Sequence, residues 1–309
     1  QMPYESTTFS SFDEEMLEAY LKGFATQIEE AVKNFRPNVI HSHHLWLVTA
    51  LSRVLHSEIP VIATCHNTAL RQAILAKHLM PFVSSPIKGQ GINTEAFTPP
   101  KGANILPNPV KRLIYVGKLS RAKGVPELLQ AFEKIQEEGE VESELFLVGS
   151  GVGKEKEEIL QMARNMAGTV HFLGQLTQEE LSEWFRKSDL FVLPSFYEGF
   201  PKVLLESLAC GCAAVITDLP GVQRTFMDAI GPTNRVHYVP LPEMKTVDQP
   251  LESELPTFVN ELKDAILTQL NRPETSTESG RECAQKIRAS FGQEALFQKY
   301  MRVYEAFLE

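Results

Sequence analysis

The chain has 309 residues, enough for about two domains at the usual ~100–200 residues each. Hydrophobic residues make up 43% and charged residues 22%, with 18 Gly and 19 Pro, which excludes collagen-like, low-complexity and wholly disordered chains. The formal charge of −9 argues against a nucleic-acid binder, but it leaves room for a local basic pocket that takes a small anion.

Four cysteines, Cys65, Cys210, Cys212 and Cys283, are too few for a disulfide scaffold. Cys210 and Cys212 lack the spacing of a zinc or redox pair, so all four are expected to be reduced packing residues. No window approaches ~18 uninterrupted apolar residues, and no basic segment precedes an apolar one at the start. A cytoplasmic protein is expected, with peripheral contact at a membrane surface left open.

Short apolar runs and amphipathic stretches alternate along the chain. Strands are expected at 38–41, 60–65, 113–117, 145–149, 170–174, 190–194 and 213–217. Helices are expected at 16–35, 125–136, 154–166, 178–187 and 202–209. Such alternation predicts doubly wound, mostly parallel α/β sheets. The Pro-rich, weakly periodic stretch 218–254 is expected to be loop, and 256–309 to hold helices without strands. Thr98-Pro99-Pro100-Lys101-Gly102 and Pro107-Asn108-Pro109 mark a linker. The division is accordingly 1–103, 104–285, and a helical tail 286–309. The first block has fewer strands than the second, and both signals stop abruptly near 79–83, so the N-terminal domain is expected to be incomplete.

Two phosphate-binding templates fail. Gly149-Ser150-Gly151-Val152-Gly153-Lys154 follows a strand, but Lys154 stands where a dinucleotide fingerprint needs glycine. Glu155 stands where a Walker loop needs Ser or Thr. What survives is a glycine turn that either holds an anion or only turns the chain. Two other strand ends carry more chemistry. Tyr115-Val116-Gly117-Lys118-Leu119-Ser120-Arg121-Ala122-Lys123-Gly124 places three cations at one strand end of an acidic protein. Pro194-Ser195-Phe196-Tyr197-Glu198-Gly199-Phe200-Pro201-Lys202 leads from a strand into a helix opened by proline, with Glu206 eight residues beyond Glu198. Strand ends that feed helix starts are where α/β folds bind phosphorylated ligands. His41, His43 and His44 resemble a metal cluster, but adjacent strand residues point apart and no carboxylate accompanies them, so no metal is expected.

Gly117-Lys118-Leu119, Lys123-Gly124, Val170-His171-Phe172-Leu173-Gly174, Glu198 followed by Glu206, and Ala209-Cys210-Gly211 together resemble the nucleotide-sugar-binding domain of retaining GT-B glycosyltransferases of family 4, or group 1. The N-terminal block resembles that family's acceptor domain through Val39-Ile40-His41-Ser42-His43 and Ala63-Thr64-Cys65-His66-Asn67-Thr68. Lys118 stands where the pattern has arginine, exchanging a guanidinium fork for a point charge. The family's N-terminal glycine-rich loop is not visible.

The resemblance implies two Rossmann-like domains facing a cleft, and transfer of a sugar from a nucleoside diphosphate sugar to a carbohydrate, lipid or small-molecule acceptor with retention. It implies that Glu206 holds the ribose hydroxyls, that Glu198 lies by the donor sugar, and that Lys118 and Lys123 grip the diphosphate. Gly117, Gly149, Gly174 and Gly199, with the backbone of Phe200, Lys202 and Val203, complete the donor-binding set. His66 matches the histidine that reaches the donor sugar from the acceptor domain. No cofactor is implied beyond the sugar nucleotide, and no Asp-x-Asp pair occurs for a metal. The alternative reading is a nucleotide-sugar-binding module of the same fold with impaired turnover. An oxidoreductase is disfavoured by the failed fingerprint, and the paired glutamates disfavour an epimerase or phosphorylase.

Overall fold

A computed structural model of the chain describes residues 12–43, 47–64, 92–100, 109–166, 169–272, 277–295 and 298. The chain divides into two units, Gln1–Gly89 with Phe297–Glu309 and Gln90–Leu296.

In the first unit, helix α1 (Glu14–Phe35) starts at Asp13, whose carboxylate accepts the Met16 N–H at 2.8 Å. It stops at Arg36, which is left-handed with φ 47°. Strands β1 (Ile40–His43) and β2 (Val61–Thr64) run parallel around α2 (Leu47–Leu55), with Ile40 opposite Val61 and His43 opposite Thr64. The first strand thus lies two residues later than the apolar run suggested. The left-handed Arg36 and the ring of Pro37 turn the chain first, and pairing begins where Ile40 N–H reaches Pro60 O at 2.9 Å.

The second unit holds a six-stranded parallel sheet in the order β5-β4-β3-β6-β7-β8. The strands are β3 (Lys111–Val116), β4 (Ser143–Val148), β5 (Val170–Gly174), β6 (Leu190–Leu193), β7 (Ala213–Thr217) and β8 (Val236–Val239). Helices α3 (Val125–Glu138), α4 (Gly153–Asn165), α5 (Gln178–Lys187), α6 (Lys202–Ala209) and α7 (Val222–Ile230) connect them. Helices α8 (Leu255–Leu270) and α9 (Thr277–Phe291) follow. The central strands are apolar through their middles because helices cover both faces: Leu113, Ile114, Leu145, Leu147, Phe191, Val192, Ala214 and Val215 are all buried. Local signals agree with this architecture. Thr177 and Glu180 form a capping box at α5, and α3 begins after Gly124 with Pro126 in its first turn.

Two expectations change. The stretch 218–254, expected to be loop, contains α7 and β8. α7 buries only Val222, Phe226 and Ile230, one narrow stripe, and β8 is four residues with two half-exposed. Neither carries enough periodicity to register alone; β8 exists because β7 offers it an edge, with Ala214 opposite Val236. The division between units also falls before the expected linker. Ile92 N–H bonds Phe291 O at 2.9 Å and Ile92 O accepts Gln293 N–H at 3.1 Å, so this segment packs with α9, and Ile92 and Phe97 join the second core. The start of the expected tail belongs to the same unit: Ser290 Oγ bonds Ala229 O at 2.9 Å. Most of the linker, the region near 79–83 and residues 299–309 lie outside the described residues. Among the described residues no helix is long and apolar enough to cross a membrane.

Candidate active site

The strand order of the second unit reverses direction between β3 and β6. A doubly wound sheet opens a crevice at that point, outside the carboxyl ends of the two strands. Residues 117–124 follow β3 and residues 194–201 follow β6, so both suggestive sequence stretches emerge at this one place.

The two loops are locked together backbone to backbone. Phe196 N–H donates to Ala122 O at 3.1 Å. Gly124, left-handed at φ 64°, packs so closely that any Cβ would overlap the Pro194 carbonyl oxygen. Lys123 crosses between the loops: its ammonium donates to Tyr197 O at 3.0 Å and pairs with Glu198 Oε1 at 2.7 Å. Ser195, fully buried, donates to the same Glu198 oxygen at 2.9 Å. The structure thus brings Lys123 and Glu198 into contact, which the sequence did not foretell.

Beneath the β3 loop lies Tyr115, also missed in the sequence. Its hydroxyl donates to Lys118 O at 2.8 Å, and a Cβ on Gly117 would come within 2.6 Å of that hydroxyl. Gly117 is therefore small so that Tyr115 can brace the turn that presents Lys118. Burial, with the neighbouring Glu198 charge adding to it, holds the phenol well above its ordinary range, so it remains a neutral donor. Lys118 itself is exposed, and Arg121 reaches away to Glu158 Oε2 at 3.0 Å.

Glu206 sits on α6 and is buried, 8% exposed, with Lys202 Nζ 3.7 Å away. Burial raises its pKa, and Lys202 only partly offsets that. A carboxylate held dry at the first helix beyond the switch point is costly and needs a ligand-side reason or a stronger partner. Glu127, on the first turn of α3, is a second buried carboxylate, raised by burial, with Oε2 unpartnered. Its burial was not legible because it occupies an ordinary first-turn position for glutamate.

Gly199 is exposed in the loop before α6, and Lys202 and Val203 open that helix, where backbone N–H groups lack intrahelical partners. The Phe200 ring stacks at 5.9 Å on Phe226 and lies tilted at 5.8 Å from Phe291, pinning the loop to α7 and α9. Gly149 and Gly174 have another use. Gly149 N–H donates to Gly174 O at 2.7 Å, and Gly149, at φ 130°, packs directly against Gly117 O. Its amide is committed to packing rather than free for a phosphate.

In the first unit His41 and His43 stack at 4.7 Å, because residues two apart on a strand share a face. His41 Nε2 lies 2.8 Å from Thr64 Oγ1, and burial, with His43 adding to it, lowers the His41 pKa. Among the described residues no cluster of His, Cys, Asp or Glu could hold a metal; His44, Cys65 and His66 lie outside them. Cys210, Cys212 and Cys283 are buried free thiols, and burial pushes Cys210 up to about 12.

Residues 101–241, which hold β3 to β8, match the family described as Glycosyl transferases group 1. The chain is 39% identical over 114 residues to N-acetyl-alpha-D-glucosaminyl L-malate synthase of Bacillus anthracis, covering 36% of this chain and 28% of that protein. It is 32% identical over 117 residues to D-inositol 3-phosphate glycosyltransferase of Pseudarthrobacter chlorophenolicus, covering 37% and 28% respectively. The matched stretch thus spans little more than a quarter of the curated relatives' length. Sucrose-phosphate synthase from Thermosynechococcus elongatus has a similar structure, with TM-score 0.65 and 21% identity over 96% of this chain and 81% of that one. The fold is of the GT-B class.

Proposed function

We propose that this chain is a glycosyltransferase that moves a sugar, with retention and without a metal, from a nucleoside diphosphate sugar to a carbohydrate, lipid or small-molecule acceptor. The observation that carries the reading is the Lys123–Glu198 pair at the switch point, 2.7 Å apart, with the dry Glu206 on the helix that follows. A vicinal ribose diol offers Glu206 two hydroxyl donors for its two acceptor oxygens. Glu198 Oε2 faces the same chemistry on the sugar.

When the bond from sugar to diphosphate breaks, charge builds on the leaving oxygen, and fixed donors stabilise it most. An ammonium has three N–H groups. Lys123 spends two on Tyr197 O and Glu198, which leaves one for the diphosphate. Lys118 and the opening amides of α6 add to it. The acceptor is proposed to attack the same face of the sugar, with the leaving diphosphate taking its proton. His66, which lies outside the described residues, is proposed to act at the donor sugar, as the family resemblance implies. The glycosyltransferase named among the curated relatives supports the class of reaction.

The test is release of nucleoside diphosphate from UDP-, GDP- and ADP-sugars, with and without prior chelation. Turnover that survives EDTA supports the whole reading. Loss restored by magnesium or manganese rejects the metal-free mechanism, binding without turnover favours the impaired module, and no binding of any sugar nucleotide rejects the donor site. His66→Ala should lower turnover much more than it lowers nucleoside diphosphate affinity.

A further inference from the structure

We infer that Ser195 is a positioning residue for the reaction, holding Glu198 in the orientation that meets the donor sugar; this rests on the reading of Glu198 given above. Ser195 lies two residues beyond β6 and is fully buried, 0% exposed, so it cannot touch a ligand itself. Its only route to the chemistry is its hydroxyl, which donates to Glu198 Oε1 at 2.9 Å. The direction is fixed because an ionised carboxylate accepts and cannot donate.

Lys123 Nζ lies 2.7 Å from the same oxygen. Two donors on Oε1 define the rotation of a carboxyl group whose terminal torsion is otherwise broad. Among the described residues no group bonds Oε2, so that oxygen is the one presented to a sugar hydroxyl. The two donors are not equivalent. Lys123 also faces the diphosphate, and its ammonium is shared once the donor binds. Ser195 is neutral, buried and tied to a strand end, so its bond persists when the lysine is shared. The serine therefore keeps the carboxylate aimed while the lysine responds to the leaving group.

The experiment uses the full chain with Ser195→Ala, Ser195→Cys, Glu198→Gln and the Ser195→Ala/Glu198→Gln double variant. Two quantities are read: kcat/KM for whichever of UDP-, GDP- or ADP-glucose or -mannose the wild type turns over, and calorimetric affinity for the matching free nucleoside diphosphate. Losing one hydrogen bond to a charged group should lower kcat/KM about tenfold in Ser195→Ala. Nucleoside diphosphate affinity should stay within about twofold, and Ser195→Ala should cost clearly less in the Glu198→Gln background, where the amide oxygen is an uncharged and weaker acceptor. Ser195→Cys, which keeps the size with a weaker donor, should fall between. Equal losses in both backgrounds, parallel losses of affinity and turnover, or an unaffected Ser195→Ala would each overturn the inference alone. A wild type that binds no sugar nucleotide would instead overturn the donor site, and this inference with it.

Discussion

The turn after β3, residues 117–124, and the turn after β4, residues 149–153, both follow a buried parallel strand and both carry glycine at positive φ. Each leads towards a helix and bears cations nearby. Their surroundings differ. The first lies at the switch point and is braced by the β6 loop: Ala122 O takes Phe196 N–H and Lys123 reaches Tyr197 O. The second spends its Gly149 amide on Gly174 O and its Ser150 carbonyl on Leu119 N–H, and its Lys154 is 89% exposed, paired among the described residues only with Glu158 at 3.5 Å. A glycine-rich turn with a cation becomes a site when a second loop fixes the cation against it. The teaching is that topology, by choosing which strand ends are neighbours, selects between two similar local sequences.

The comparison breaks most sharply at its glycines. Gly124 and Gly153 have nearly the same left-handed φ, 64° and 67°, but a Cβ on Gly153 meets nothing within 4 Å whereas one on Gly124 overlaps Pro194 O. Gly153→Ala should cost only the left-handed strain, about 1–2 kcal/mol, and leave turnover unchanged. Gly124→Ala should add a backbone clash that separates the two loops, with turnover lost and a markedly lower melting temperature. Equal melting temperatures for the two variants would refute the interlock.

The next largest effect is expected at the lysines. Lys123→Ala should lower turnover about 10²–10³-fold, the scale for one preorganised charge stabiliser. Lys154→Ala, on the turn whose cation no second loop holds, should leave kcat/KM alone. Lys118→Arg should be tolerated or improve turnover, because the guanidinium fork suits phosphate. A Lys154 effect as large as that of Lys123 in the same assay would erase the distinction between the turns.

A smaller effect tests the far side of the crevice. Glu206→Ala should weaken nucleoside diphosphate binding by about 1–3 kcal/mol, read by calorimetry, as expected for lost hydrogen bonds to a charged group. Unchanged affinity in a folded variant would remove Glu206 from the site.

The smallest effect is one of stability. Burial raises the Glu206 pKa in the folded chain above its unfolded value. The folded state therefore takes up the proton first as pH falls, and wild-type stability gains relative to Glu206→Gln between that raised pKa and the ordinary carboxylate range near ~4.3. At pH 7 Glu206→Gln should be at least as stable as wild type, by a few degrees at most, and thermal melts across pH should show that advantage shrinking on acidification. A growing advantage would contradict the direction of the shift.

Several parts of this fold were legible because their signals are local. Helices α5 and α6 and strands β5 and β7 lie where their periodicity puts them, since strong caps, Pro201 ahead of α6 and continuous apolar runs need no distant partner. β8 and α7 were not, because each is short and half-exposed and draws its stability from β7 and from the second core. The limit of the first unit was misplaced for the same reason: Ile92 looks like any linker residue until Phe291 accepts its N–H.

The chemistry divides along the same line. Sequence by itself determined that residues 110–225 alternate strand and helix, that cations and carboxylates gather at two strand ends, and that no dinucleotide or Walker loop is present, because spacing and residue type suffice for each. Only the tertiary structure decided that Lys123 meets Glu198, that Ser195 and Lys123 share one oxygen, that Glu206 is dry and that Gly149 is spent on packing. The physical reason is range. Hydrogen bonds and close backbone approaches act over about 3 Å, and loops more than seventy residues apart in sequence come that close only after a parallel sheet has set β3 beside β6.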